Sequence, residues 1–304
     1  MKHESIAFIG SGHGGMVALK SLQTNFSSIE VITDDENIYS LLRKSDYLYK
    51  SIVTCSSTET CESLEYCQSL QYCNSIESCK SNLIICANYQ SIIPKYILEK
   101  KTVINTHPAL LPKYRGIHSL VWAMLNSEKE IGFTIHLMNE HMDDGDILEQ
   151  FKVQYKDQTS YEIMQLFDEY VENNLGRVVA EYLEGEIIPL KQDRKNASWV
   201  SRRNISDCVI DFNKSNEYIR MLFKALVRPY PLPMLNIKKK LYEVPSYKMI
   251  DNKYEMHNGR VVNIEEENVF IKTKEGILII VDLIDFETKE IIKARNILRL
   301  GQRL

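Results

Sequence analysis

The chain of 304 residues holds 44% apolar and 26% charged residues with a formal net charge of −4, which excludes wholesale disorder, collagen and coiled coil. Its length corresponds to about two domains, enough to bury on the order of 75% of the unfolded surface without covalent staples. Its apolar runs, such as ILIIVDLI near the end, fall short of the roughly 20 residues of a membrane helix, and the opening Met-Lys-His-Glu-Ser lacks a signal peptide's apolar core; the expectation is a cytoplasmic protein with no membrane partner and free thiols.

Residues 5–9 (SIAFI) read as a short buried strand. The Gly-rich turn GSGHGG follows, then a helix to about Thr24. SIEVIT at 28–33 is a second strand, closed by Asp34-Asp35-Glu36, and residues 36–50 read as helical. Leu83 to Ala87 and Thr102 to Thr106 are the third and fourth strands. A helix near 118–127 precedes the strand-like GFTIHLM from Gly132, and an amphipathic helix spans 160–184 with Gly185 as its C-cap. Strands alternating with helices imply βαβ units and a mostly parallel sheet. The polar segment 191–205 ends this pattern and 214–227 reads as one more helix. From Leu235 short strand-like runs alternate with turn signals such as Asn258-Gly259, which predicts a small β-barrel or sandwich.

Two features of the pattern are not local. Cys55, Cys61, Cys67, Cys73 and Cys79 recur every six residues, with Ser57, Ser63, Ser69, Ser75 and Ser81 in phase. Six is a multiple of the strand period and not of the helix turn, so the repeat favours an extended, solenoid-like insert. A mobile loop stays open, and a metal site is disfavoured because metal-binding Cys pairs sit two to four apart. Charge is also uneven: residues 191–304 hold 22 Lys+Arg against 15 Asp+Glu, and residues 1–190 hold 15 against 26. A basic C-terminal part suits either an anionic partner or a solvated surface.

Gly10, Gly12 and Gly15 fit GxGxxG after a strand, with Asp34 or Asp35 about 20 residues on, as in a dinucleotide fingerprint. Any βα unit needs such a turn, however, and nothing else in the chain calls for a hydride acceptor. The informative stretch is NTHPALLPKYRG at 105–116. Asn105 and His107 alternate at a strand end and project to the same side. Asp143 and Gly145 lie in HMDDGDI after the next strand. An amide, an imidazole and a carboxylate at strand ends occupy the place where open α/β sheets bind ligands. The trio suits acyl transfer: the amide donates to an oxyanion, the imidazole moves a proton and the carboxylate orients it. No Ser or Cys nucleophile sits beside them, so the attacking group would come from the substrate; turn chemistry is the alternative for Asn-x-His-Pro alone.

NTHPALLPKYRG, Gly132-Phe133-Thr134 and MDDGDI, in this order and spacing, resemble the signature of the formyltransferase family that uses N10-formyltetrahydrofolate. Ala109 stands where the family usually has Ser, and Ser119, next to His118, where it usually has Pro. The resemblance covers essentially the whole chain. It implies an α/β fold: a Rossmann-like, mostly parallel sheet with helices on both faces in a catalytic domain over 1–190, a linker and helix over 191–233, and a small OB-like β-barrel domain over 234–304. It implies that Asn105, His107 and Asp143 are catalytic. Cys86, Ala87, Asn88 and Tyr89, with Met138 and Asp144 across the pocket, would bind the folate, largely through backbone groups. No metal is implied.

Two branches of the family share the C-terminal barrel. Methionyl-tRNA formyltransferases carry a basic insert in the first domain, whereas residues 51–79 here contain no Lys or Arg and hold Glu59, Glu62, Glu65 and Glu77. LLRKSDYLYK and YQSIIPKYIL resemble instead the sugar N-formyltransferases of bacterial surface-polysaccharide (O-antigen) pathways. The expected acceptor is a nucleotide-linked amino sugar, with dTDP-4-amino-4,6-dideoxyglucose preferred over a 3-amino-3,6-dideoxyhexose. Nucleic acid is not the expected partner, and a homodimer is allowed for. Ser11, Lys95 and Arg115 are candidates for the pyrophosphate; Tyr230 either stacks near the base or packs structurally. Methionyl-tRNA formyltransferase, favoured by the basic C-terminal part, and a non-catalytic nucleotide-sugar sensor are the remaining alternatives.

Overall fold

A computed structural model of the chain describes residues 5–42, 74–89 and 91–304. It divides into two compact units. The first takes the residues up to Gly116, Ile131–Val153 and Met164–Val200, and the second takes Ile117–Glu130, Gln154–Ile163 and Ser201–Leu304.

In the first unit, β1 (Ile6–Gly10), β2 (Ile29–Ile32), β3 (Leu83–Ala87) and β4 (Thr102–His107) run parallel in the order β2-β1-β3-β4. Every residue of β1 and β3 is buried, as continuous apolar runs require of parallel strands covered on both faces. After the short β5 (Arg115–Gly116), β6 (Glu130–Leu137) adds to β4 in the antiparallel sense, and β7 (Ile147–Gln154) is the outer strand. β8 (Trp199–Val200) pairs with β5 in a separate two-stranded parallel ribbon. The sheet is therefore mixed, with the four expected parallel strands side by side from its β2 edge. The helix Gly12–Asn25 buries Gly15, Ala18, Leu19 and Leu22, one face at helical spacing. The helix Ser160–Leu183 buries Ile163, Phe167, Val171, Leu175 and Val178, and Gly185 at φ 77° follows its end.

The Cys repeat lies outside the described residues over 55–73. Its last unit is described, and it departs from the extended coil expected of it: residues 74–78 are helical, and Ile76 and Cys79 are buried in a core cluster with Ala7, Ile84 and Val103. Apolar contact with the β-sheet core outweighs the sixfold sequence period there.

In the second unit, the Ser215 hydroxyl accepts from the Tyr218 N–H at 3.1 Å and caps the helix Asn216–Ala225. The small β domain is built from β9 (Met234–Ile237), β10 (Lys240–Glu243), β11 (Lys248–Asp251), β12 (Val261–Glu265), β13 (Asn268–Lys272), β14 (Gly276–Ile280), β15 (Asp282–Asp285) and β16 (Ile291–Lys293). They form two four-stranded antiparallel sheets, β16-β15-β10-β9 and β11-β14-β13-β12. Among the described residues no helix is long and apolar enough to cross a membrane.

Candidate active site

Asn105 and His107 lie at the end of β4 and are register partners of His136 and Thr134 on the antiparallel β6. Strand alternation sends Asn105, His107 and His136 toward one group of side chains. The chain then leaves β6, turns through 138–146 and returns as β7, and Asp143 sits in this loop at φ 49°. A left-handed residue other than Gly costs about 1–2 kcal/mol, so the loop needs anchors. It has three. The Gly116 N–H donates to Asp143 Oδ2 at 2.8 Å. The Gln192 amide donates to the carbonyls of Asp143 at 2.8 Å and Gly145 at 2.7 Å. Gly145 itself lets the loop close on β6, since a Cβ there would meet the Leu137 carbonyl oxygen at 1.8 Å.

The result brings the three sequence-predicted catalytic side chains together. His107 is buried; its Nε2 donates to the Tyr114 carbonyl at 2.9 Å, and its Nδ1 faces Asp143 Oδ2 at 3.6 Å. A proton is thus already placed on Nε2, and Nδ1 is the basic edge, beside a carboxylate that would hold the imidazolium. His136, which the sequence pattern did not single out, completes the group. Its Nδ1 donates to the Leu137 carbonyl at 2.7 Å and its Nε2 accepts from Asn105 Nδ2 at 3.3 Å. Burial pushes His136 down to about 4 against the pull of Asp143, 3.6 Å away, so near neutrality it is an uncharged acceptor. It takes one amide proton of Asn105 and leaves the other for a ligand.

The remaining candidates fall into three groups. Ser11 and Asn88 are locked to each other: the Ser11 hydroxyl donates to the Asn88 carbonyl at 3.1 Å, and Asn88 Nδ2 donates to the Ser11 carbonyl at 3.0 Å. Cys86 and Ala87 are buried at the end of β3, where burial pushes the Cys86 thiol far up, and Tyr89 and Met138 pack on the adjoining core. Cys86 is the register partner of Asn105, so the backbone from Cys86 to Tyr89 leaves the sheet beside the trio. The second group is ionic. Asp144 is buried between Arg115 at 2.6 Å and Arg194 at 2.5 Å. Arg115 is buried as well, and Gln192 Oε1 accepts from its Nη2 at 2.6 Å and its Nε at 3.2 Å. The guanidinium named above as a pyrophosphate candidate is therefore engaged inside the protein. Lys95 is exposed and pairs with Glu140 at 2.6 Å. The third group lies in the second unit, where the Arg203 guanidinium covers the Tyr230 ring at 5.3 Å and His118 Nδ1 accepts from the Arg203 N–H at 3.0 Å.

The Gly turn resolves differently from a dinucleotide site. The Gly12 N–H at the helix start donates to Asp35 Oδ2 at 2.5 Å. Burial pushes Asp35 up, but amide donors from Gly12, Asn37 and Ile38 hold it below the usual carboxylate range. The acid that would meet a ribose and the amide that would meet a phosphate serve each other. Among the described residues no group of three or more His, Cys, Asp or Glu side chains is set to hold a metal ion.

Residues 4–179 match the family model described as formyl transferase, and residues 204–301 match the one described as formyl transferase, C-terminal domain. The chain is 31% identical over 221 residues to a methionyl-tRNA formyltransferase of Clostridium novyi (strain NT), covering 72% of this chain and 71% of that one. Its fold is similar to that of an N-formyltransferase from Helicobacter canadensis solved with folinic acid and dTDP-3-aminofucose (TM-score 0.64, 19% identity, 92% of this chain and 99% of that one). It is also similar to HypX from Aquifex aeolicus in complex with tetrahydrofolic acid (TM-score 0.60, 16% identity, 96% of this chain), of which the chain spans 46%, about half the length.

Proposed function

The chain belongs to the formyl transferase family, and on that premise we propose that it moves the formyl group of N10-formyltetrahydrofolate to the amine of a nucleotide-linked amino sugar. The convergence of Asn105, His107 and Asp143 carries this reading. The backbone of Cys86 to Tyr89 and the loop from Met138 to Asp144 would hold the folate; both leave the sheet at the trio. The bound folate supplies a formyl carbon on a nitrogen leaving group. Asn105 Nδ2, oriented by its bond to His136, donates to the formyl oxygen as charge develops on it. His107 Nδ1 takes the proton of the attacking amine and returns it to the departing N10. Asp143 stabilises the imidazolium between these steps.

Charge favours the sugar acceptor. Residues 51–79 carry four Glu and no Lys or Arg, a composition whose charge repels a phosphate backbone. Sequence identity to a methionyl-tRNA formyltransferase favours the second reading, transfer to methionyl-tRNA. A turnover assay with the folate donor against dTDP- and UDP-linked 3-amino and 4-amino dideoxyhexoses, with methionyl-tRNA in parallel, separates the two. Formylation of a sugar nucleotide is expected, dTDP-4-amino-4,6-dideoxyglucose first. Formylation of tRNA alone would replace the proposal with the second reading. In either case Asn105→Ala should lose about 10²–10³ in kcat, the usual loss for one oxyanion donor, and His107→Ala and Asp143→Ala about 10²–10⁴, the usual range for a proton-transfer group, with acceptor binding retained. Near-normal turnover in His107→Ala would remove it from the proton step.

A further inference from the structure

We propose that the indole of Trp199 and the guanidinium of Arg194 form the subsite for the nucleoside phosphate of the acceptor; this rests on the nucleotide-linked acceptor argued above. Trp199 is the register partner of Arg115 in the β5–β8 ribbon. The buried Arg115 guanidinium lies 5.7 Å from the indole centroid and is fixed by Asp144 and Gln192. One face of the ring is thus backed by an immobile cation, yet the side chain is 66% exposed. A held, exposed indole is the arrangement that stacks a planar ring. Trp199, Met142, Arg194 and Asp144 line a cavity of about 480 Å³, in the range of small-ligand sites.

Charge specifies what accompanies the ring. Asp144 is neutralised by the buried Arg115, so Arg194, 71% exposed on the same carboxylate, adds a surplus positive charge at the cavity. Glu140 on the cavity wall is countered by Lys95. A guanidinium fork suits a phosphate. Position fits as well. Gly116, next to Arg115, holds Asp143, so platform and trio are one residue apart on both β5 and the carboxylate loop. A planar ring with an anionic group also describes the p-aminobenzoyl-glutamate end of the folate, and the test separates these sources.

The chain has two tryptophans, so Trp122→Phe leaves Trp199 as its lone indole, read by selective tryptophan excitation. Titration of that variant with dTDP and with UDP should quench fluorescence saturably, and Arg194→Ala in the same background should weaken binding by about ten-fold. In the intact enzyme Trp199→Ala should raise acceptor KM about ten-fold or more, with donor KM and kcat within about two-fold. Quenching by 5-formyltetrahydrofolate but by neither nucleotide assigns the subsite to the donor and overturns the proposal. So does an unchanged acceptor KM in Trp199→Ala. The two readings fail separately. Nucleotide quenching without sugar formylation keeps the subsite and removes the sugar acceptor; sugar formylation with unchanged Trp199→Ala kinetics does the reverse.

Discussion

The four side chains at the end of β4 differ in how readily the sequence discloses them. Asn105 and His107 stand two apart before a Pro, so strand alternation alone puts them on one side. Asp143 stands out within MDDGDI. His136 sits inside the apolar run GFTIHLM, and only the antiparallel register of β6 against β4 brings it to Asn105. Arg115 and Asp144 read in the sequence as ligand contacts, for the pyrophosphate and the folate, and are buried partners of each other in the fold. The His136 environment has a measurable consequence. Its folded imidazole is held at about 4, against an ordinary value of about 6.5 in the unfolded chain. Between those limits the unfolded chain binds more protons, so this contribution to stability is present above about pH 6.5 and is lost as pH falls toward 4. By pH 5 the loss is about 2 kcal/mol. His136→Gln keeps an acceptor for Asn105 and does not titrate. Chemical denaturation at pH 7.5 and pH 5 should therefore show a smaller acid loss in His136→Gln than in the parent. Equal losses in both would mean that His136 titrates in the folded protein as it does in the unfolded chain.

At the scale of elements, long buried strands and helices were legible and short connecting pieces were not. β1 and β3 are apolar runs that announce themselves, and the helix Ser160–Leu183 has a clear apolar face. β7 is buried only at its first two residues, so its pattern is that of an edge strand with little to distinguish it. The hairpin between β9 and β10 turns on Lys238 and Lys239 at φ 51° and 70°, without the Asn-Gly that usually marks such a turn. β5 and β8 are two residues each, and their pairing across more than 80 positions of sequence has no local signal. That ribbon nonetheless positions the Asp143 carboxylate, because the Gly116 N–H is one of its anchors. Gly116 has φ 111° and a Cβ there would lie 2.1 Å from the Val200 carbonyl oxygen. Gly116→Ala should therefore part β5 from β8, lower Tm by several degrees and reduce kcat by at least about ten-fold, more than donor KM changes. A variant with lowered Tm and unchanged kcat would show that Asp143 is held without this strand pair.

At the scale of the whole molecule, composition conveyed two domains and an uneven charge, but not which segments each unit gathers. Residues 117–130 and 154–163 group with the C-terminal residues, a long-range partition that no local period encodes. The charge asymmetry bears directly on the acceptor. Residues 191–304 carry an excess of Lys and Arg, which would suit a polyanion, while residues 1–190 carry a larger excess of Asp and Glu. A polyanion that makes several phosphate contacts releases one counterion or so for each, and its binding falls by about two or more orders of magnitude between 50 and 200 mM salt. A nucleotide sugar presents one diphosphate and a fixed cation or two, so its binding is far less sensitive to salt. With the sugar nucleotide as acceptor, kcat/KM should fall by no more than about five-fold over that range. Excess uncharged tRNA should not compete with the sugar nucleotide at 150 mM salt. Competition by tRNA that disappears steeply as salt rises would instead mean that the basic C-terminal surface, not the acidic N-terminal part, meets the acceptor, and would move the assignment to methionyl-tRNA.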